Sequence, residues 1–168
     1  YKDIQLRTGG EIYLGVVGPV RTGKSTFIKR FMNLLVLPYM EDDNEKERAQ
    51  DEMPQSAGGK TITTTEPKFI PKEAAHVKLG TDINVDVRLI DCVGYMVEGA
   101  AGHMEQDEER MVKTPWSVEE IPFTKAAEIG TRKVIKDHST IGIVVTCDGS
   151  FGELPRENFL DAEERTIK

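Results

Sequence analysis

At 168 residues the chain has room for one domain with one substantial core, and 38% hydrophobic against 30% charged residues is the balance of a globular protein rather than a disordered one. A net charge of -7 argues against duplex nucleic acid or an anionic lipid surface as the main partner. No apolar run approaches the roughly 18 residues that a membrane span needs, and the opening YKDIQLRTGG has no signal-peptide core.

The chain starts without Met and stops, at LDAEERTIK, inside a helical pattern, so residues 1–168 are expected to be one domain, an N-terminal piece of a longer protein. The run Ile12 to Val17 reads as a short strand buried on both faces of a parallel sheet. From Lys24 the spacing turns helical, with Phe27, Ile28, Phe31, Met32, Leu34 and Leu35 on the apolar positions, and the helix is expected to end before Pro38. Residues 41–52, EDDNEKERAQDE, read as a solvated helix or loop. Residues 56–67, SAGGKTITTTEP, read as a mobile loop rich in glycine and hydroxyls. Residues 76–79 and 83–91 then read as an antiparallel hairpin around a Gly-Thr-Asp turn.

Residues 95–118 form a glycine- and charge-rich excursion that holds the only tryptophan, Trp116. A helix is expected from about Phe123 to His138, a second all-apolar strand from Ile141 to Thr146, and a last helix from near Arg156. Strand, helix, hairpin, helix, strand, helix is a doubly wound α/β layout. Cys92 and Cys147 end apolar runs without a CxxC pair or a histidine at ligand spacing. They read as buried free thiols of a reducing cytosol and not as a zinc site.

The chemistry is concentrated in GPVRTGKS, residues 18–25, which leaves the first strand and opens the first helix. The pattern G-x-x-x-x-G-K-[ST] in that context is a phosphate loop. Gly18 lets the chain turn off the strand, and Gly23 lets the backbone approach phosphate oxygens. The amides of Arg21, Thr22, Gly23, Lys24, Ser25 and Thr26 then face an anion at a helix N-terminus. Lys24 is expected on the β- and γ-phosphates and the Ser25 hydroxyl on Mg²⁺. Asp91, closing the strand of RLIDCVG, is the matching metal carboxylate, and the Gly94 amide is the expected detector of the γ-phosphate. Aspartate often ends strands for turn reasons alone; the order of phosphate loop and then Asp-x-x-Gly gives it meaning here.

Between these motifs, Thr64 and Thr65 are the expected sensor threonines, closing onto Mg²⁺ and the γ-phosphate; the alternative is a β-prone threonine run on a strand edge. Arg21, inside the loop, is a candidate cation for transition-state charge, or else projects to solvent or a neighbouring subunit. After Gly94, where many switches carry a water-orienting glutamine, the chain has Tyr95, so hydrolysis is expected to be slow or to borrow a group. Asp148 and Glu153 read as turn-capping residues, and His76, His103 and His138 receive no role.

With GPVRTGKSTF, PQSAGGKTITTTEPKF, RLIDCVGY, TPW and AAEIGTRKVI in this order, essentially the whole chain resembles the family of spore-coat morphogenetic ATPases, relatives of the translation-factor-like P-loop GTPases. The resemblance implies a P-loop NTPase domain, a three-layer sandwich with a mostly parallel sheet and one antiparallel hairpin strand. It also implies ATP as substrate with Mg²⁺, with Lys24 and Ser25 as Walker A, Asp91 as Walker B, and Thr64 with Thr65 as sensors. It further implies self-assembly into a static homopolymer at the forespore surface in the mother-cell cytoplasm. A small amphipathic membrane-anchor protein and other coat proteins are the implied partners, through regions this chain lacks. The residues themselves leave ATP or GTP open, and two alternatives stand beside the ATPase: a GTP-dependent switch and a nucleotide-binding module without turnover.

Overall fold

The computed structural model describes residues 9–54, 65–100, 104–105, 108–150 and 154–168. The central strand is β1 (Glu11–Val17), buried from Leu14 onward. It lies between two parallel neighbours, which is why its sequence is apolar without alternation. The hairpin partners are β2 (Lys68–Leu79) and β3 (Ile83–Asp91), paired antiparallel. Two small ribbons follow, β4 (Met104–Glu105) with β5 (Glu108–Glu109) and β6 (Met111–Val112) with β7 (Ile121–Pro122). The last strand is β8 (Ile141–Val144). The main sheet has four strands in the order β2-β3-β1-β8, with β3, β1 and β8 parallel. An α/β fold with a mostly parallel sheet and one antiparallel strand is therefore what the chain adopts.

Helix α1 (Lys24–Phe31) covers one face, where Ile28 and Met32 meet Leu14, Val16 and Leu89. Helix α3 (Phe123–Lys133) and the turn after it lie on the other, where Val134 meets Val17, Ile90 and Cys92. Helix α2 (Asp43–Asp51) is started by Asp42, whose carboxylate accepts from the amides of Asn44 and Glu45 at 2.8 and 2.9 Å. The charged run thus forms a capped helix that buries only Ala49. Helix α4 (Leu160–Ile167) follows a 3-10 turn. It is tied to the end of the sheet by Arg156, whose guanidinium donates to both Glu163 oxygens at 2.6 Å and to the Cys147 carbonyl at 3.0 Å.

Three expectations change. Helix α1 passes into a π-helical turn, Met32–Val36, and then a 3-10 turn that contains Pro38. The wider turn shifts the register, so Val36 and Leu37 are buried while Leu34 and Leu35, expected inward, are 64% and 53% exposed. Strand β2 starts at Lys68 rather than residue 76, running through Pro71 and a register shift between Ile70 and Ala75. Proline is tolerated because β2 is an edge strand. The strand expected from Ile141 to Thr146 ends at Val144 and forms the opposite edge, where Ile141 and Val144 are 39% and 43% exposed. The helix expected from about Phe123 to His138 has those bounds, its last turn, Val134–His138, being π-helical. The expected loop 56–67 falls mostly on residues 55–64, outside the described residues.

His76 and Asp86 form a titratable cross-strand pair in the hairpin. His76 lies directly opposite Asp86 and its imidazole Nδ1 contacts the Asp86 carboxylate; this hydrogen bond, above all, raises the His76 pKa. Because the folded value lies above the unfolded one, the stabilisation is complete below the ordinary histidine pKa and is lost as pH rises through the raised value. Thermal melts of wild type and His76→Gln should therefore differ most at acidic pH and converge at alkaline pH.

Candidate functional site

The ends of β1 and β3 define the site, since their parallel register sets Val16 opposite Asp91. The chain turns off β1 at Gly18, whose φ of +142° and closeness to the Val145 carbonyl leave no room for a side chain: a Cβ would sit 2.2 Å from that oxygen. A small core of Val20, Tyr95, Val97, Cys147, Phe159 and Ala162 supports the loop from below. The Val20 amide donates to the Tyr95 carbonyl at 2.9 Å, fastening the loop to the segment after β3. Gly23, at φ +88°, is the N-cap of α1, and Arg21 takes a left-handed φ of +61° with its side chain exposed. The Thr22 hydroxyl is buried and donates to the Pro19 carbonyl at 2.9 Å, so that side chain braces the loop.

Lys24 is 5% exposed and folds back into the loop, donating from Nζ to the Gly18 and Pro19 carbonyls at 3.3 and 2.6 Å. Burial lowers its pKa, opposed by Cys92 and Asp91. Ser25 Oγ donates to Asp91 Oδ2 at 3.0 Å. Burial raises the Asp91 pKa against the lowering effects of that hydrogen bond, Lys24 and Lys68. Two hard oxygen donors side by side, one a half-buried carboxylate whose ionised form a cation would favour, fit Mg²⁺, which binds through few protein oxygens and keeps its waters. Among the described residues no three His, Cys, Asp or Glu gather as a metal cage. Ser25 and Asp91 are thus the residues that would hold the ion, together with oxygens of the ligand.

Gly94 sits against this group at φ +93°: a Cβ there would lie 2.0 Å from the Gly18 carbonyl and 2.7 Å from Lys24 Nζ. Its amide, expected to face a γ-phosphate, donates instead to Thr131 Oγ1 of α3 at 3.2 Å. Thr65 is buried with its carbonyl against Gly130 of the same helix, where a Cβ would meet it at 2.6 Å. Thr64 lies outside the described residues, as does Glu153. Thr26 is exposed on α1 beside Ser25. Asp148 caps its turn as expected, accepting from the Ser150 amide at 2.9 Å. Both cysteines are buried and neither is in a disulfide. The structure thus brings Gly18, Lys24, Ser25, Asp91 and Gly94 together. Sequence reasoning missed Thr131, which a helix places beside Gly94 and which carries no local signature of its own.

A family model described as Stage IV sporulation protein A, ATPase domain, matches residues 1–168. The chain belongs to this family. It is 59% identical over 168 residues to Stage IV sporulation protein A of Bacillus subtilis (strain 168), covering 100% of this chain and 34% of that protein. The protein of the same name from Bacillus anthracis is 58% identical over 167 residues, covering 99% of this chain and 34% of that one. That of Clostridioides difficile (strain 630) is 56% identical over 168 residues, with 100% and 34% covered. The chain therefore spans about a third of the length of these relatives. No solved structure matches it. No described helix is long and apolar enough to cross a membrane.

Because Gly94 needs both its backbone conformation and its empty Cβ position, Gly94→Ala should cost about 1–3 kcal/mol from the backbone alone. Urea unfolding should show the loss, and it should exceed that of alanine at Gly80, where φ is also positive but space is open.

Proposed function

We propose that this domain binds ATP with Mg²⁺ and hydrolyses it slowly. The observation that carries the reading is the Ser25 hydroxyl on the Asp91 carboxylate beside a buried lysine inside a glycine-opened loop. Lys24 is held against main-chain carbonyls; with a nucleotide present its ammonium turns to the β- and γ-phosphates, a stronger acceptor for a buried cation. The amides around Gly23 bind phosphate oxygens at the start of α1, where the helix dipole adds attraction. A bound Mg²⁺ would supply charge neutralisation on the phosphate oxygens. Ser25 and Asp91 orient that charge, joined by Thr64 and Thr65 as sensors once the triphosphate is in place. Arg21, exposed at the loop, is the candidate cation for transition-state charge. Tyr95, buried where many switches carry a water-orienting glutamine amide, keeps turnover slow. It is also the observation that favours the second reading, nucleotide binding without hydrolysis.

ATP rather than GTP is supported by the family's description as an ATPase domain. In the longer protein, nucleotide state would set a shape competent to self-assemble into a static polymer, the basement layer of the spore coat on the forespore surface. The sporulation name of the relatives and the resemblance of the motifs support that role. Assembly with coat proteins and a small amphipathic membrane anchor would use regions outside this chain.

Phosphate release by the full-length chain, with ATP or GTP and with or without Mg²⁺, tests the proposal. ATP turnover that requires Mg²⁺ and falls about 100-fold or more in Lys24→Ala is the expected result. Preference for GTP points to a switch, and binding without release to the module without turnover; either sinks the ATPase reading.

A further inference from the structure

Two loops that sense nucleotide in the proposed function end on adjacent residues of α3, and one of those contacts competes with phosphate. Thr131 is fully buried, and its hydroxyl proton is committed to the Ala127 carbonyl at 2.8 Å. Its oxygen is therefore the acceptor for the Gly94 amide at 3.2 Å. The Cys92 thiol borders the same hydroxyl, with the Val16 carbonyl 3.6 Å from its sulfur. An amide has one proton. While Gly94 donates to Thr131 it has none to offer a γ-phosphate.

We infer that Thr131 is a positioning residue that latches the Gly94 amide away from the phosphate site, so that a γ-phosphate must draw the amide off the helix. This rests on the proposed nucleotide-binding reading. Several constraints make the latch stiff. Gly94 is wedged between the Gly18 carbonyl and Lys24 Nζ. The next residue is bridged to the loop through Pro19 and Val20. A shift of Gly94 is therefore felt by both the loop and Lys24. The neighbouring residue on α3, Gly130, seats the Thr65 carbonyl with no space for a Cβ, so one turn of this helix touches both segments that flank the site. A diphosphate has no γ-phosphate and leaves the latch closed; a triphosphate opens it. Thr131 thereby sets the discrimination between substrate and product without touching either.

The test is calorimetric titration of the full-length chain with Mg²⁺ and either a non-hydrolysable ATP analogue or ADP, in wild type, Thr131→Val and Thr131→Ser. Valine keeps the shape and removes the acceptor, which strands a buried amide in the nucleotide-free state. The preference for triphosphate over diphosphate should rise about three- to tenfold, the worth of one neutral hydrogen bond, while ADP affinity stays at the wild-type value. Serine keeps the hydroxyl and should restore the wild-type ratio. If valine does not fold, Thr131→Ala removes the same acceptor and is read in the same way. An unchanged or reduced ratio in the folded variant overturns the latch and leaves nucleotide binding intact. No binding of either nucleotide by wild type overturns both.

Discussion

The hydrogen bond from Ser25 to Asp91 is the contact on which the rest of the site depends. It joins the first turn of α1 to the end of β3, residues 66 positions apart in sequence. It forms only because β1 and β3 run parallel in a register that ends both at the same edge. Ligand sites in open α/β sheets lie beyond the carboxyl ends of the strands for this reason: loops from neighbouring parallel strands converge there. The apolar filling on both faces, Leu14, Val16, Ile28 and Leu89 on one side and Val17, Ile90 and Val134 on the other, holds that register. A slip of one residue would exchange the faces and carry Asp91 away from the loop.

That geometry carries an electrostatic cost. Burial pushes the pKa of Lys24 down and that of Asp91 up, each toward its neutral form, and each partly offsets the effect on the other. Main-chain carbonyls and a hydroxyl serve the two groups, yet among the described residues neither has a counter-charge at hydrogen-bond distance. A polyanion carrying a divalent cation is the ligand that would satisfy both at once. The amide of Gly94, donating into α3, is likewise satisfied by the fold and not by the open site. The same buried lysine, carboxylate and glycine that would bind nucleotide are thus held by internal partners that a phosphate chain can replace.

Much of this was legible in the sequence, because the phosphate loop is a local pattern. Gly18 and Gly23 announce backbone conformations, Lys24 and Ser25 follow at fixed spacing, and an apolar strand before with a helical period after supplies the context. Asp91 was legible for the same reason, at the end of a strand with Gly94 three residues on. Tertiary context hid the rest. Pro71 concealed the first half of β2, since only an edge position makes proline acceptable there. The π-helical turn after Phe31 is set by packing rather than propensity, so Leu34 and Leu35 read as core and lie outside. Ile141 to Thr146 read as an all-apolar strand, and composition does not say that it ends at Val144 on the edge of the sheet. Thr131 was invisible as a site residue, since threonine within a helix has no local signature. Only the fold brings it to Gly94.

The central claim is that the ends of β1 and β3 grip a magnesium-bound triphosphate. Titration calorimetry of ATP into the full-length chain, in the presence of Mg²⁺ and again with the metal chelated, tests it most directly. The account predicts saturable one-to-one binding that weakens when the metal is removed and weakens further in Ser25→Ala. Absence of heat under every condition, or binding indifferent to both magnesium and Ser25, would contradict it.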